Sequence, residues 1–179
     1  MKKHITILVL LILLGVGVTS SFAKGDERKF IDIIKEAILT PEGESPPSVQ
    51  KWGTVVDEPC PKISLENVKT NEMTDLNEMI KGKVTVIIFT QTSCGACKNY
   101  LQAFVKMRAS VPELFIVAIN VDVGNRPRII KYIDYYNFTF PFLHDPEFST
   151  PKLFGFSYTP GIVIIGKNGK VVYLRRGGY

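Results

Sequence analysis

Two long apolar segments constrain the fold of this chain more than any other feature. Residues Val84–Thr90 and Leu114–Val121 are almost continuously apolar, without the polar alternation of a strand that has one face in water. Strands of this kind are buried on both faces, and they are usually central and parallel. The residues between them, 94 to 108, place apolar side chains at helical spacing. The three segments therefore predict a β-α-β unit at the centre of an α/β fold.

Further elements are predicted on either side of this unit. A helix with one apolar face is expected between residues 24 and 40, and the turn-forming residues of 41–48 indicate a linker. The later elements that the pattern predicts are a helix over 129–136, a short strand over 140–143, and strands over 162–165 and 170–174 joined by a turn at 166–169. We expect them to complete a mixed β-sheet flanked by helices.

The first 23 residues have the layout of a secretory signal peptide. Lys2 and Lys3 precede an apolar run over residues 5–18, and small residues lead to a cleavage position after Ala23. The run is shorter than the roughly 20 residues of a typical membrane-spanning helix. An uncleaved anchor through residues 5–18 is the alternative, because flanking lysines can retain a short span. Both interpretations place the rest of the chain outside the cytoplasm, in the periplasm or an equivalent compartment.

We expect one compact domain over residues 52–179, preceded by a helix and linker over residues 24–51. Removing 23 residues from 179 leaves 156, which suits a single domain with a full hydrophobic core. The whole chain has 22 basic and 17 acidic side chains, and without Lys2 and Lys3 the balance is 20 to 17. This excess is too small to indicate a nucleic-acid partner.

Two of the three cysteines, Cys94 and Cys97, lie only three positions apart at the start of the predicted central helix. A purely structural disulfide is a poor explanation, because a crosslink that closes so short a loop stabilises little. The first turn of a helix offers unpaired amide hydrogens and partial positive charge, which favour a thiolate at Cys94. We expect Thr92 or Ser93 to cap this helix. Cys97, one turn further on, can reach the first sulfur and should be the more buried of the two.

This arrangement predicts thiol-disulfide exchange. Cys94 would attack a partner disulfide, and Cys97 would resolve the mixed disulfide that results. A Cys-x-x-Cys pair also occurs in zinc sites, but those need further ligands of similar spacing. After residue 23 the chain has one histidine, His144, and one other cysteine, Cys60. We therefore expect no metal and no other cofactor.

Taken together with its surroundings, the cysteine motif resembles the thioredoxin superfamily, and within it the TlpA-like group of exported thiol-disulfide oxidoreductases. The resemblance extends from about Val55 to Tyr173. Besides the cysteines, it is carried by residues 61–65, 74–76, 82–84, 140–146, 153–156, 159–160 and 167–171. It implies a thioredoxin-like fold and disulfide exchange with protein substrates, usually as a reductase and in several members for cytochrome c maturation. It also implies a redox partner that donates or accepts electrons, with a membrane-bound protein as one option.

The resemblance assigns roles to Thr159 and Pro160. In this superfamily a proline at this position follows a cis peptide bond and faces the two sulfurs, although only roughly 5% of X-Pro bonds are cis. We therefore expect a cis Thr159–Pro160 bond. By the same analogy, the backbone of Thr159 pairs with an extended segment of the substrate.

The chain departs from the family pattern next to the cysteines. Ser93 stands where a tryptophan is usual, and Ala96 stands where a proline is frequent; Gly95 and Lys98 complete the motif. Lys98 either supports a thiolate electrostatically or is an ordinary surface lysine. Ile88 occupies the place of a buried acidic residue that assists proton transfer in many thioredoxins, so proton transfer is expected to use water or an acid from elsewhere in the fold.

Two other functions are compatible with this resemblance. Exported copper-delivery proteins have the same fold, and His144 could supply a third ligand beside Cys94 and Cys97. Their cysteines are normally spaced one residue wider, which counts against copper. A non-catalytic adaptor is disfavoured because both cysteines and Pro160 are present. Cys60 is expected to be a buried, unreactive thiol, with an intermolecular disulfide as the alternative.

One face of the sheet needs a cover. In the superfamily a helix after the last hairpin packs on this face, whereas the present sequence stops at Tyr179. The helix over residues 30–39, a partner protein, or sequence beyond Tyr179 could cover this face, and the sequence leaves the three alternatives open.

Overall fold

The structure is a computed structural model that describes residues 24–41, residue 44 and residues 56–176. In this part of the chain, the strands form one mixed seven-stranded sheet in the order β2-β1-β5-β4-β3-β6-β7. The helices are α1 (Lys24–Leu39), α2 (Leu76–Ile80), α3 (Gly95–Ser110), α4 (Arg126–Tyr135) and α5 (Ser149–Leu153). The strands are β1 (Ser64–Asn67), β2 (Met73–Asp75), β3 (Thr85–Thr90), β4 (Phe115–Asn120), β5 (Phe142–His144), β6 (Gly161–Ile165) and β7 (Val171–Arg176). The predicted α/β architecture, a mixed sheet flanked by helices, is confirmed.

The two apolar segments form central strands, as predicted. β3 and β4 pair in parallel from Thr85 opposite Phe115 to Thr90 opposite Asn120, and α3 connects them. β6 lies antiparallel on the other side of β3, and β7 forms a hairpin with β6. The start of α3 therefore lies at the carboxyl end of β3, the edge at which open α/β sheets bind their ligands.

The sequence pattern does not predict β2, α2 or α5. These elements have three, five and five residues, too few to show a periodicity of either kind. α2 relies on a local signal, because the Asp75 side chain accepts hydrogen bonds from two backbone N–H groups of its first turn. β5 begins at Phe142 rather than at the expected Phe140, and Pro141 just before it lacks the N–H that a paired strand uses.

Each face of the sheet carries its own hydrophobic core. On one face α1, α3 and α4 pack against alternate strand residues such as Val86 and Ile88. On the other face α2 and the aromatic residues after α5 cover Ile87 and Phe89. Both faces of β3 are consequently buried, which explains why its sequence does not alternate in polarity.

The amino-terminal helix α1 is part of the first core. Phe30 is 1% exposed, and its ring centroid lies 5.7 Å from that of Phe104 and 5.1 Å from that of Tyr173. Near the other end of α1, Lys167 Nζ donates a hydrogen bond of 2.5 Å to the backbone oxygen of Ile38. α1 thus covers the sheet face for which the sequence left a helix, a partner or further chain as alternatives.

Some sequence predictions fall outside the described residues. They concern the leader over residues 1–23, most of the linker, the domain boundary at residue 52 and residues 177–179. In the part of the chain that the structure describes, no helix combines the length and the apolar character that crossing a membrane requires.

Candidate active site

Cys94 and Cys97 lie where β3 gives way to α3, and their sulfur atoms form a disulfide. The two Cα atoms are 5.2 Å apart. Cys97 is fully buried, whereas Cys94 is partly exposed. This difference agrees with the expectation that Cys97 is the more buried residue. It leaves the Cys94 sulfur as the atom of the pair that a partner molecule can approach.

The sequence predicted Thr92 or Ser93 as the N-cap of α3, whereas in the structure the N-cap is Cys94 itself. The Cys94 backbone is extended (φ −86°, ψ 102°), and its Sγ accepts a hydrogen bond of 3.1 Å from the backbone N–H of Cys97. The prediction is wrong because the chain turns before the helix: Cys94 N–H donates to the Gln91 carbonyl at 3.1 Å. That turn brings the sulfur, rather than an upstream hydroxyl, to the first-turn amides.

This cap has a chemical consequence for the sulfur. Sulfur is a weak acceptor when neutral, whereas a thiolate accepts hydrogen bonds strongly. A backbone N–H and the positive end of the α3 dipole therefore stabilise Cys94 more as a thiolate than as a thiol. The sequence predicted this helix end, and the structure adds the specific donor, the N–H of Cys97.

The turn that carries Cys94 is held from both sides. The backbone N–H of Thr92 donates a 2.9 Å hydrogen bond to Asp122 Oδ2, just beyond the end of β4. On the opposite side, Thr159 Oγ1 donates to Gln91 Oε1 at 3.2 Å. Residues from two other segments of the chain thus fix the two residues at the start of the loop.

Thr159 and Pro160 lie beside this loop. The Thr159–Pro160 peptide bond is cis. Pro160 is buried, Thr159 is half-buried, and Gly161 after them pairs with Phe89 at the active-site end of β3. The structure therefore places Thr159, to which the resemblance assigns a substrate-binding role, against the loop that leads to the cysteine pair.

The remaining motif residues differ in exposure. Ser93, Gly95 and Ala96 are exposed, and Lys98 is half-buried in the first turn of α3. A side chain added at Gly95 would meet no atom within 4 Å. Ile88 is fully buried on the α3 side of β3, so the position that carries an acid in many thioredoxins is apolar here.

His144 and Cys60 do not join the cysteine pair. His144 Nε2 lies 2.8 Å from the Asp122 backbone oxygen and donates to it, because a carbonyl oxygen can only accept. Cys60 is a free thiol that is 6% exposed, and burial raises its pKa to about 11. Among the residues described, no three His, Cys, Asp or Glu side chains are grouped so that they could hold a metal ion.

Sequence reasoning missed Asn120, Asp122 and Gln91 as parts of the site. Asn120 is fully buried at the end of β4, and its Nδ2 donates to Asp122 Oδ2 at 3.2 Å. Two polar residues at the end of an apolar strand were a usable signal, because ligands of parallel sheets lie at that edge. Gln91 offered no comparable signal, since its contact with Thr159 spans 68 positions of the sequence.

Comparison with known proteins places this geometry in a family. The AhpC/TSA family matches residues 56–174, which is more than half of the chain. A search of curated proteins returned no significant match.

Three similar solved structures share the fold. A protein of Chlorobium tepidum assigned as the thiol:disulfide interchange protein DsbE is 25% identical, with a TM-score of 0.63 over 71% of this chain and 89% of that one. The thioredoxin domain of a thiol-disulfide oxidoreductase of Bacteroides vulgatus is 17% identical, with a TM-score of 0.61 over 70% and 91% of the two chains. A secreted disulfide oxidoreductase of Mycobacterium tuberculosis, homologous to Escherichia coli DsbE, is 16% identical, with a TM-score of 0.57 over 65% and 84%.

These findings confirm the resemblance to the thioredoxin superfamily and its TlpA-like thiol-disulfide oxidoreductases. The fold follows from all three structures, and the family follows from the match over residues 56–174. The chain belongs to the AhpC/TSA family and is a homologue of the thiol-disulfide oxidoreductases of thioredoxin-like fold.

Proposed function

We propose that this chain is an exported thiol-disulfide oxidoreductase that exchanges disulfides with protein substrates through Cys94 and Cys97. The observation that carries the proposal is their disulfide at the first turn of α3, with one sulfur partly exposed and the other buried. An exposed attacking sulfur and a buried resolving sulfur are what a two-step exchange requires. The similarity to a DsbE of Chlorobium tepidum supports the same chemistry.

In the reductive direction, the reaction begins with the dithiol form. The Cys94 thiolate attacks one sulfur of the substrate disulfide, forms a mixed disulfide, and releases the other substrate sulfur as a thiolate, which takes up a proton. Cys97 then loses its proton and attacks the Cys94 sulfur. The second substrate sulfur leaves, and the Cys94–Cys97 disulfide forms. Two electrons have passed to the substrate, and a partner dithiol returns two electrons to the chain by the same steps.

Thr159 and Pro160 are proposed to bind the substrate. They lie beside the Cys94 loop through the contact between Thr159 and Gln91. A substrate segment in extended conformation could pair with the Thr159 backbone and present its disulfide to Cys94. Ser93 and Ala96 are exposed next to the sulfurs, so they leave this approach open on the side where relatives carry larger residues.

We propose reduction as the direction in the cell and an extracytoplasmic compartment as the location. The leader-like residues 1–23 support export, and the similar Mycobacterium tuberculosis protein is secreted. Reduction outside the cytoplasm needs a continuous supply of electrons, so the expected partner is a redox protein that is itself fed through the membrane. Cytochrome c maturation is the proposed process, on the resemblance to the TlpA-like group.

An insulin-reduction assay tests the exchange activity directly. The protein from residue 24 onward is incubated with a dithiol and insulin, together with the Cys94→Ser and Cys97→Ser variants. We expect Cys94→Ser to abolish turnover. Cys97→Ser, reduced in advance and mixed with insulin after the dithiol has been removed, should accumulate a mixed disulfide that survives on a non-reducing gel. Cys60→Ala is the matched control and should keep wild-type turnover, because Cys60 is buried and takes no part in the pair. Turnover that persists in Cys94→Ser would refute the proposal.

Whether the protein acts as a reductase or as an oxidant is tested separately by a redox titration of the Cys94–Cys97 pair. Known dithiol proteins have potentials between about −270 and −120 mV, from strong reductants to strong oxidants. A value near the reducing end supports reduction in the cell. A value near the oxidising end would contradict reduction while leaving the exchange chemistry in place.

A further inference from the structure

The carboxylate of Asp122 connects the end of β4 to the loop that carries Cys94. Its Oδ2 accepts the backbone N–H of Thr92 at 2.9 Å and Asn120 Nδ2 at 3.2 Å. Thr92 precedes Cys94 by two residues and belongs to the turn closed by the bond from Cys94 N–H to the Gln91 carbonyl. Asp122 therefore contacts the backbone that determines where the Cys94 sulfur lies.

Asp122 is itself fixed by the strands beneath it. Its backbone N–H donates to Asn120 Oδ1 at 2.9 Å, and its backbone oxygen accepts from His144 Nε2 at 2.8 Å. Asn120 is the last residue of β4, where it pairs with Thr90 of β3 on one side and His144 of β5 on the other. The ends of three parallel strands thus hold Asp122 in place. Through its hydrogen bond from the Thr92 N–H, Asp122 in turn restrains the loop that carries Cys94.

The two anchors of the loop differ in strength. The bond from Thr92 to Asp122 joins a backbone N–H to a carboxylate, and hydrogen bonds to ionised groups are roughly twice as strong as neutral ones. The bond from Thr159 to Gln91 joins two neutral side chains. When the Cys94–Cys97 disulfide is reduced, the covalent link across the helix end is lost, and the hydrogen bond from Thr92 to Asp122 does not depend on that link.

We propose that Asp122 is a positioning residue for the dithiol reaction. It holds the 91–94 turn so that, in the reduced protein, the Cys94 sulfur stays against the first-turn amides of α3. The inference rests on the proposed function, because it concerns the same sulfur, but Asp122 acts only through the backbone of Thr92.

The test compares Asp122→Ala with Asp122→Asn in the reduced protein. Asparagine keeps an oxygen that can accept from Thr92 and removes the charge, whereas alanine removes both. Asp134→Ala is the matched control, since it removes a carboxylate that pairs with Lys69 at an exposed position on α4. The readouts are the rate of Cys94 alkylation by iodoacetamide near pH 7, located by mass spectrometry, and the insulin-reduction rate, both per folded molecule.

We expect Asp122→Ala to slow both rates by about tenfold. Alkylation slows because a Cys94 sulfur displaced from the first-turn amides is less ionised, and insulin reduction slows also because a small displacement of a reacting group has a large kinetic effect. Asp122→Asn should stay closer to the wild type than to Asp122→Ala, and Asp134→Ala should match the wild type. Wild-type rates in Asp122→Ala would overturn the proposal, and so would equal impairment of Asp122→Asn and Asp122→Ala, which would assign the effect to charge rather than to position.

Hydrogen exchange in the wild type gives a second test that needs no variant to fold. The Thr92 amide should stay protected after the disulfide is reduced, and rapid exchange of this amide would overturn the proposal. Alkylation and hydrogen exchange do not depend on a protein substrate. They therefore decide the role of Asp122 even if the wild type fails to reduce insulin, a result that would refute the proposed function alone.

Discussion

At the scale of single residues, the chemistry depends on where one sulfur lies. Cys94 is both the exposed member of the disulfide and the N-cap of α3, so its Sγ accepts from the Cys97 N–H. No sequence rule for capping points to cysteine, because the preferred caps are Ser, Thr, Asp and Asn. The sequence predicted the pair, the helix end and the difference in burial. It could not predict the cap, which depends on a turn closed at Gln91.

The buried thiol of Cys60 should make the stability of the folded protein depend on pH. Burial raises its pKa from the ordinary 9.0 to about 11. Because the folded-state pKa is the higher one, the buried neutral thiol contributes stability that is fully present below pH 9 and is lost as the pH rises toward 11. We expect the stability advantage of the wild type over Cys60→Ala to shrink across this range, as measured by urea unfolding of the oxidised proteins. Parallel stability curves would contradict this account of Cys60.

At the scale of secondary-structure elements, long apolar elements were predictable and short ones were not. β3, β4 and α3 appear in the sequence as continuous or periodic patterns, and the structure confirms them with bounds shifted by one or two residues. β2 and α2 depend instead on specific contacts between residues, namely the register of β2 with β1 and the cap that Asp75 provides for α2. The role of Asp122 was hidden for the same reason, since it contacts a residue 30 positions away in the sequence.

Gly161, at the start of β6, lies against Phe156 with no room for a side chain. A Cβ atom added at Gly161 would lie 2.6 Å from Cδ2 of Phe156, a buried ring that packs against Phe89. Phe156 cannot move without disturbing this core, so Gly161→Ala should destabilise the protein by about 1–3 kcal/mol in urea unfolding. Gly95→Ala is the matched control, because a side chain there meets nothing within 4 Å. Equal stability of the two variants would contradict the packing argument.

At the scale of the whole molecule, α1 completes the fold. The sequence predicted an amphipathic helix at this position and left open what it covers. The structure places Phe30 between Phe104 of α3 and Tyr173 of β7, in the core that lies beneath the active-site helix. Composition and periodicity could predict the helix, but only long-range packing determines its neighbours.

Removal of the Phe30 side chain tests whether α1 stabilises the whole domain. Phe30→Ala should lower the free energy of unfolding by about 3–5 kcal/mol, because a large buried ring leaves a cavity. Unfolding should remain a single transition, since α1 shares its core with α3 and the sheet. Leu39→Ala is the control, because Leu39 is 79% exposed at the end of the same helix. A loss of helix content that leaves the unfolding midpoint unchanged would show that α1 is dispensable to the core.

The central claim is that the Cys94 sulfur of the reduced protein is stabilised as a thiolate by the first turn of α3. The most direct measurement is the rate of Cys94 alkylation by iodoacetamide as a function of pH, in the Cys60→Ala protein. The account predicts a titration midpoint clearly below the 9.0 of an ordinary cysteine. A midpoint at or above that value would contradict it.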